Sequence, residues 1–228
     1  MSSEAISDAV KVKICGITNA ADGIAAAEAG ADLLGFVFCD ESPRYVAPEA
    51  AVQIIRKLPP FAVKVGLFVN ASEEDVMRAI TVCGLDMLQF HGDETPEYCR
   101  QFGLMTIKAF RVRDAGSLDA LEKYPTDAWL LDAHTPGKLG GTGEVFDWDL
   151  AIAARGRGRP IFLAGGLNPE NVAEAVRRVR PYGVDVSSGV EAAPGKKDHA
   201  KVRAFVLAAK TATNDSGQSQ EGRNAPES

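Results

Sequence analysis

The chain has 228 residues, of which 46% are hydrophobic and 25% charged, a composition that supports a sizeable core and excludes wholesale disorder or a fibrous repeat. Its 31 acidic and 25 basic residues leave a formal charge of −6. That balance opposes sequence-independent attraction to nucleic acid or anionic lipid, so any anionic ligand must be held by local groups.

No uncharged apolar run is long enough to span a bilayer, and MSSEAISDAV is polar and acidic where a secretory leader is basic and then apolar. A cytoplasmic location is expected, with no membrane or nucleic-acid partner. The four cysteines, Cys15, Cys39, Cys83 and Cys99, form neither a C-x-x-C pair nor a zinc spacing. They read as reduced thiols, three of them packing groups.

In chain order, eight short apolar runs each end in a polar or glycine-bearing tip. They are KVKICG from Lys11, ADLLGFVF from Ala31, KVGLFV from Lys64, MLQFHG from Met87, MTIKAF from Met105, AWLLDA from Ala128, PIFLAGG from Pro160 and GVDVSSG from Gly183. They start about 25 residues apart, which is what a strand, a loop, a helix and a return loop need. Helices are predicted between and after them at Asp22 to Ala29, Pro48 to Leu58, Ser72 to Val82, Thr95 to Phe102, Ala115 to Lys123, Asp147 to Ala154, Pro169 to Val179 and Asp198 to Ala209.

Ser72 precedes three acidic residues, as a helix cap and first turn prefer. Asn168-Pro169-Glu170 puts proline at the expected first helical position. Strands that are apolar on both faces are parallel strands sheathed by helices, and eight such units predict a single closed (β/α)8 TIM barrel over residues 11–210. The competing doubly wound sheet would carry G-x-G-x-x-G at the first turn, which here reads CGIT. Residues 1–10 are expected to form an extension. The stretch from Thr211 has no Leu, Ile, Val, Phe or Trp and is expected to be a disordered tail.

Barrel active sites lie at the C-terminal ends of the strands. Cys15 ends strand 1 and Asp132 ends strand 6. Alternation turns Val12 and Ile14 to the helices and sends Lys13 and Cys15 inward. A thiol and a carboxyl across one side of the mouth suit a base and an acid working on one substrate; a packing thiol and a helix-capping carboxyl are the alternatives that pattern leaves open.

Gly165-Gly166 and Ser187-Ser188-Gly189 tip strands 7 and 8, where barrels commonly bind phosphate through backbone amides. Gly140-Gly141-Thr142-Gly143 follows strand 6 as a further amide source, a lid or a plain flexible loop. Arg44, in SPRY after strand 2, is placed to clamp a carboxylate or to be solvated at the surface. His91 and Lys108 are further polar groups near the mouth, read first as supporting or packing side chains. His134 reads as loop surface.

The runs KICGIT, SPRYV, QFHGDE, GGTGEVFDW, LAGGLNPENV and VDVSSGVE resemble the phosphoribosylanthranilate isomerase family of tryptophan biosynthesis, over about Lys11 to Ala209. The resemblance implies an Amadori rearrangement of N-(5-phosphoribosyl)anthranilate, with Cys15 as general base, Asp132 as general acid and Arg44 on the anthranilate carboxylate. It further implies His91, Gly141, Gly165, Gly166, Ser187, Ser188 and Gly189 as substrate-binding positions, no metal or organic cofactor, and a monomer or homodimer acting on a small phosphosugar. The histidine-pathway isomerase, which performs the same rearrangement, resembles the phosphate tips but uses paired aspartates where this chain has Cys15. A non-catalytic phosphate-binding barrel is the reading from a different class.

Overall fold

The computed structural model describes residues 9–132 and 148–212. Its strands are β1 (Lys11–Cys15), β2 (Leu33–Val37), β3 (Val63–Phe68), β4 (Met87–Phe90), β5 (Met105–Arg111), β6 (Ala128–Asp132), β7 (Ile161–Ala164) and β8 (Gly183–Val186). All neighbours pair in parallel, and β8 closes on β1 with Lys11 opposite Gly183 and Lys13 opposite Asp185. The expected (β/α)8 barrel is the observed fold.

Strand alternation divides the core in two. Val12, Ile14, Leu34, Phe36, Phe68, Leu88, Phe90, Leu131 and Leu163 face outward into the layer formed with the helices. Leu33, Val65, Ile107, Ala109, Leu130, Phe162 and Ala164 fill the barrel itself, so its lower interior is packed.

The helices are α1 (Ala20–Glu28), α2 (Pro48–Ile55), α3 (Glu73–Cys83), α4 (Pro96–Arg100), α5 (Trp148–Arg155), α6 (Val172–Val179) and α7 (His199–Ala212). Asn19, Ser72 and Thr95 each cap a first turn by accepting a backbone N–H, which satisfies donors that the helix cannot. Ala115–Lys123 is a 3₁₀ helix begun by a capping box between Asp114 and Ser117. The Asn168-Pro169 signal marks a turn rather than the helix start. Asn168 Oδ1 accepts from the N–H groups of Glu170 and Asn171, and α6 begins at Val172, because an asparagine side chain can offer the backbone a local alternative to the helix.

One device recurs at the strand N-termini. Asp32, Asp86 and Asp127 each donate a backbone N–H to the residue paired across the preceding strand, Val12, Lys64 and Thr106. Each then accepts that residue's N–H on its carboxylate at 2.8 Å. These two-point clamps tie β1 to β2, β3 to β4 and β5 to β6.

Between β8 and α7 the chain adds a 3₁₀ turn (Ser188–Val190) and a hairpin of β9 (Glu191–Ala193) and β10 (Lys196–Lys197). The sequence reading placed no element there. Helix α7 runs to Ala212, which is buried, two residues beyond the expected end of the barrel at 210. No helix among the described residues is long and apolar enough to cross a membrane.

Candidate active site

The inward positions at the strand ends form the mouth. Cys15, Val37 and Leu67 make a small apolar cluster there, with Cys39 against it. Cys15 is 4% exposed. Burial pushes its thiol above the ordinary range; Lys13 and Lys197 pull it down, and Asp185 pushes it up. Lys13 Nζ lies 2.8 Å from Asp185 Oδ1, and the lysine side chain is fully buried. Burial alone would lower the lysine, but Asp185 and then Cys15 hold it above its ordinary value.

Asp132 continues the inward face of β6, one pleat beyond Leu130, and remains partly open to solvent. His91 Nε2 is 3.3 Å from Asp132 Oδ2, and Gln89 Nε2 is 3.1 Å from His91 Nδ1. Gln89 and Asp132 flank the two ring nitrogens of His91. His91 is thus joined to the strand-6 carboxylate.

Lys108 is not at the mouth. Its neighbours Ile107 and Ala109 take the inward positions, and the lysine turns to the helix side. There it bonds Gly92 O at 2.6 Å and Glu94 Oε2 at 3.0 Å. Glu94 also accepts the N–H groups of Asn70 and Gly92, so this buried pair fixes the loop that carries His91.

At the tips of β7 and β8, Gly165 and Gly166 have φ of +82° and +67°, a region that other residues enter only at a cost. Ser188 and Gly189 lie in the 3₁₀ turn. None of the main-chain hydrogen bonds found among the described residues is donated by Gly166, Ser188 or Gly189. The buried Ser187 hydroxyl has no partner there either. Amide and hydroxyl donors at two neighbouring tips, without partners among the described residues, are groups of the kind that can bind an anion. Gly141, the rest of Gly140-Gly141-Thr142-Gly143, and His134 lie outside the described residues.

Arg44 comes over the mouth from the β2–α2 loop, above Gly16, and is held by a residue that the sequence reading did not single out. Its Nε and Nη2 donate to the two carboxylate oxygens of Glu191 at 2.8 and 2.7 Å. Glu191 also accepts from Lys197 Nζ at 2.9 Å and Gly195 N–H at 3.3 Å.

Burial would raise the Glu191 carboxyl, but Arg44 and Lys197 hold it below the ordinary carboxylate range. Glu191 occupies the side-on edge of the guanidinium and leaves the Nη1 edge for another carboxylate. The charges in this cluster sum to one net positive, whereas Lys13 with Asp185 and Lys108 with Glu94 are balanced pairs. Among the described residues, no group of three or more His, Cys, Asp or Glu side chains is placed to hold a metal ion.

The residues that sequence reasoning missed were Asp185, Glu191 and Lys197; Lys13 was read as inward but given no role. Asp185 could have been found as the charged inward member of GVDV beside a strand whose own inward lysine needed a partner.

Comparison with known proteins supplies the family. Residues 12–208 match the family model described as N-(5'phosphoribosyl)anthranilate (PRA) isomerase. An N-(5'-phosphoribosyl)anthranilate isomerase of Citrifermentans bemidjiense is 60% identical over 200 residues, covering 88% of this chain and 97% of its own. The phosphoribosyl anthranilate isomerase structure from Thermotoga maritima superposes with a TM-score of 0.84 at 46% identity, covering 89% of this chain and 99% of the other. A phosphoribosyl anthranilate isomerase structure solved in complex with reduced 1-(o-carboxyphenylamino)-1-deoxyribulose 5-phosphate gives 0.81 and 44% with the same coverage. The chain belongs to the phosphoribosylanthranilate isomerase family and is an isomerase of tryptophan biosynthesis.

Proposed function

We propose that the chain converts N-(5-phosphoribosyl)anthranilate to 1-(2-carboxyphenylamino)-1-deoxyribulose 5-phosphate, with Asp132 as general acid and Cys15 as general base. Asp132 delivers its proton to the ribose ring oxygen, the ring C1′–O bond breaks as the nitrogen lone pair forms the C1′=N bond, and the protonated Schiff base (an N-aryl iminium) results. The Cys15 thiolate then removes the C2′ proton to give an enolamine, which takes a proton at C1′ as its hydroxyl becomes the ketone. The sequence is an isomerisation in which no electrons leave the substrate, so no redox cofactor or metal is required.

His91 donates from Nε2 to Asp132 and steadies the carboxylate left after proton delivery. The phosphate is held by the amides at Gly165, Gly166, Ser188 and Gly189 and by the Ser187 hydroxyl, with Gly141 adding a further amide. Arg44 takes the anthranilate carboxylate on its free edge. The protein works in the cytoplasm as a monomer or homodimer.

The observation that carries this reading is the order round the ring. Cys15 ends β1 and Asp132 ends β6, and the strands between them are β7 and β8, whose tips carry donors with no partner among the described residues. A phosphate seated there leaves the sugar between acid and base. The test is a turnover assay: phosphoribosylanthranilate is generated in situ and its fluorescence followed on adding the protein. Wild type should remove it rapidly, and Cys15→Ser and Asp132→Asn, folded by circular dichroism, should each lose roughly 10²–10⁴ in rate. A Cys15→Ser variant within a few-fold of wild type would show that another group takes the C2′ proton. Turnover of the histidine-pathway aminoaldose alone would favour that isomerase instead.

A further inference from the structure

We propose that Lys13 is a positioning residue for Cys15: its buried ammonium, gripped from behind by Asp185, is the counter-cation that keeps the sulfur available in its anionic, basic form. This rests on the reading of Cys15 as the general base. Lys13 and Cys15 are two residues apart on β1 and share its inward side. In the neighbouring strand, Gly35 stands in register with Cys15. A side chain at position 35 would put its Cβ 2.8 Å from Cys15 Sγ and 3.1 Å from Lys13 Nζ. Ammonium and sulfur therefore border the same space, which the missing side chain of Gly35 leaves open, while the lysine's hydrogen bond goes to Asp185.

A lysine buried in a barrel needs a counter-ion, and Asp185 at 2.8 Å supplies it. Neutralising the lysine does not require it to lie against a thiol. The other charges that face Cys15 are differently engaged: Lys197 from β10 and Arg44 from the β2–α2 loop both share Glu191. The facing β2 side chains, Gly35 and Val37, are uncharged. Lys13 is thus the cation placed for the sulfur, and it opposes the burial that otherwise favours the thiol.

The test titrates Cys15 in the intact, substrate-free protein. The rate of carboxamidomethylation by iodoacetamide is followed across a pH series, with the Cys15 peptide quantified by mass spectrometry. Lys13→Met should move the midpoint up by about 1 unit or more, and Asp185→Asn should move it down, because the lysine charge is then undivided. A merely structural pair would give the same sign in both variants, a loosened and more reactive thiol.

The double variant Lys13→Met/Asp185→Asn leaves no unpaired buried charge and should also titrate above wild type, so the proposal is testable even if Lys13→Met does not fold. An unchanged or lowered midpoint in the lysine variants, or a raised one in Asp185→Asn, overturns it. Retained turnover in Cys15→Ser would instead overturn the base assignment, and the alkylation series reads the lysine's hold on the sulfur independently of that result.

Discussion

Replacing Glu191 by glutamine keeps the outline of the side chain and removes the one negative charge between two cations. Its carboxylate, 5% exposed, accepts both Arg44 donors and the Lys197 ammonium. The Lys197 side chain is fully buried, while the Arg44 side chain is 22% exposed. The arginine can therefore swing toward water when its partner is neutralised, and the lysine cannot.

Breaking a buried pair from one side costs about 3–5 kcal/mol. With the arginine relieved by solvent, Glu191→Gln should lower unfolding free energy by about 3 kcal/mol in urea titrations. Adding Lys197→Met removes the stranded ammonium and should recover about half of that. A Glu191→Gln protein within about 0.5 kcal/mol of wild type, or strict additivity with Lys197→Met, would refute the reasoning.

The same carboxylate sets an acid limb on stability. Its folded pKa lies below the ordinary 4.5, so its contribution is present above that value and lost as pH falls through the folded one; the urea midpoint should drop there, and less steeply in Glu191→Gln. Arg44→Ala should raise KM by roughly 10- to 100-fold with kcat little changed, since a charge-assisted bond to a carboxylate remote from the reacting carbons is worth about 1.5–3 kcal/mol; steady-state kinetics showing an unchanged KM and a collapsed kcat would contradict it. Asp127→Ala removes the acceptor of the Thr106 N–H at 2.8 Å and should cost about 1.5–3 kcal/mol in urea unfolding. Its kcat/KM should stay at the wild-type value, because the clamp lies at the opposite end of the strands from the mouth. Inorganic phosphate should compete with substrate, and Gly166→Val, which forces a β-branched residue into positive φ at the β7 tip, should weaken that inhibition.

The strands were legible because parallel barrel strands are apolar on both sides, and each run ended in a polar tip that alternation could assign inward or outward. The places of Cys15, Asp132 and the two glycine-bearing tips at the strand ends follow from that alone, whereas the roles expected of them came from the family resemblance. Lys108 did not, because its inward or outward sense depends on whether Ile107 and Ala109 fill the barrel, a choice that two apolar neighbours do not reveal. The cluster of Arg44, Glu191 and Lys197 joins residues 147 positions apart through a hairpin only a few residues long. The polar stretch between Ser188 and Asp198 carries no periodicity to announce it. The buried Lys13–Asp185 pair between β1 and β8 could have been found, since the expected closure of the barrel sets the charged inward residue of GVDV beside the inward lysine of β1.

The division of labour between Cys15 and Asp132 is tested most directly by the pH profile of kcat/KM in wild type, Cys15→Ser and Asp132→Asn. Wild type should be bell-shaped, because the base must be deprotonated and the acid protonated. Cys15→Ser should lose the ascending limb and only fall with pH; Asp132→Asn should lose the descending limb and only rise. Retention of the full bell in either variant, at reduced or undiminished rate, would contradict the assignment of that residue.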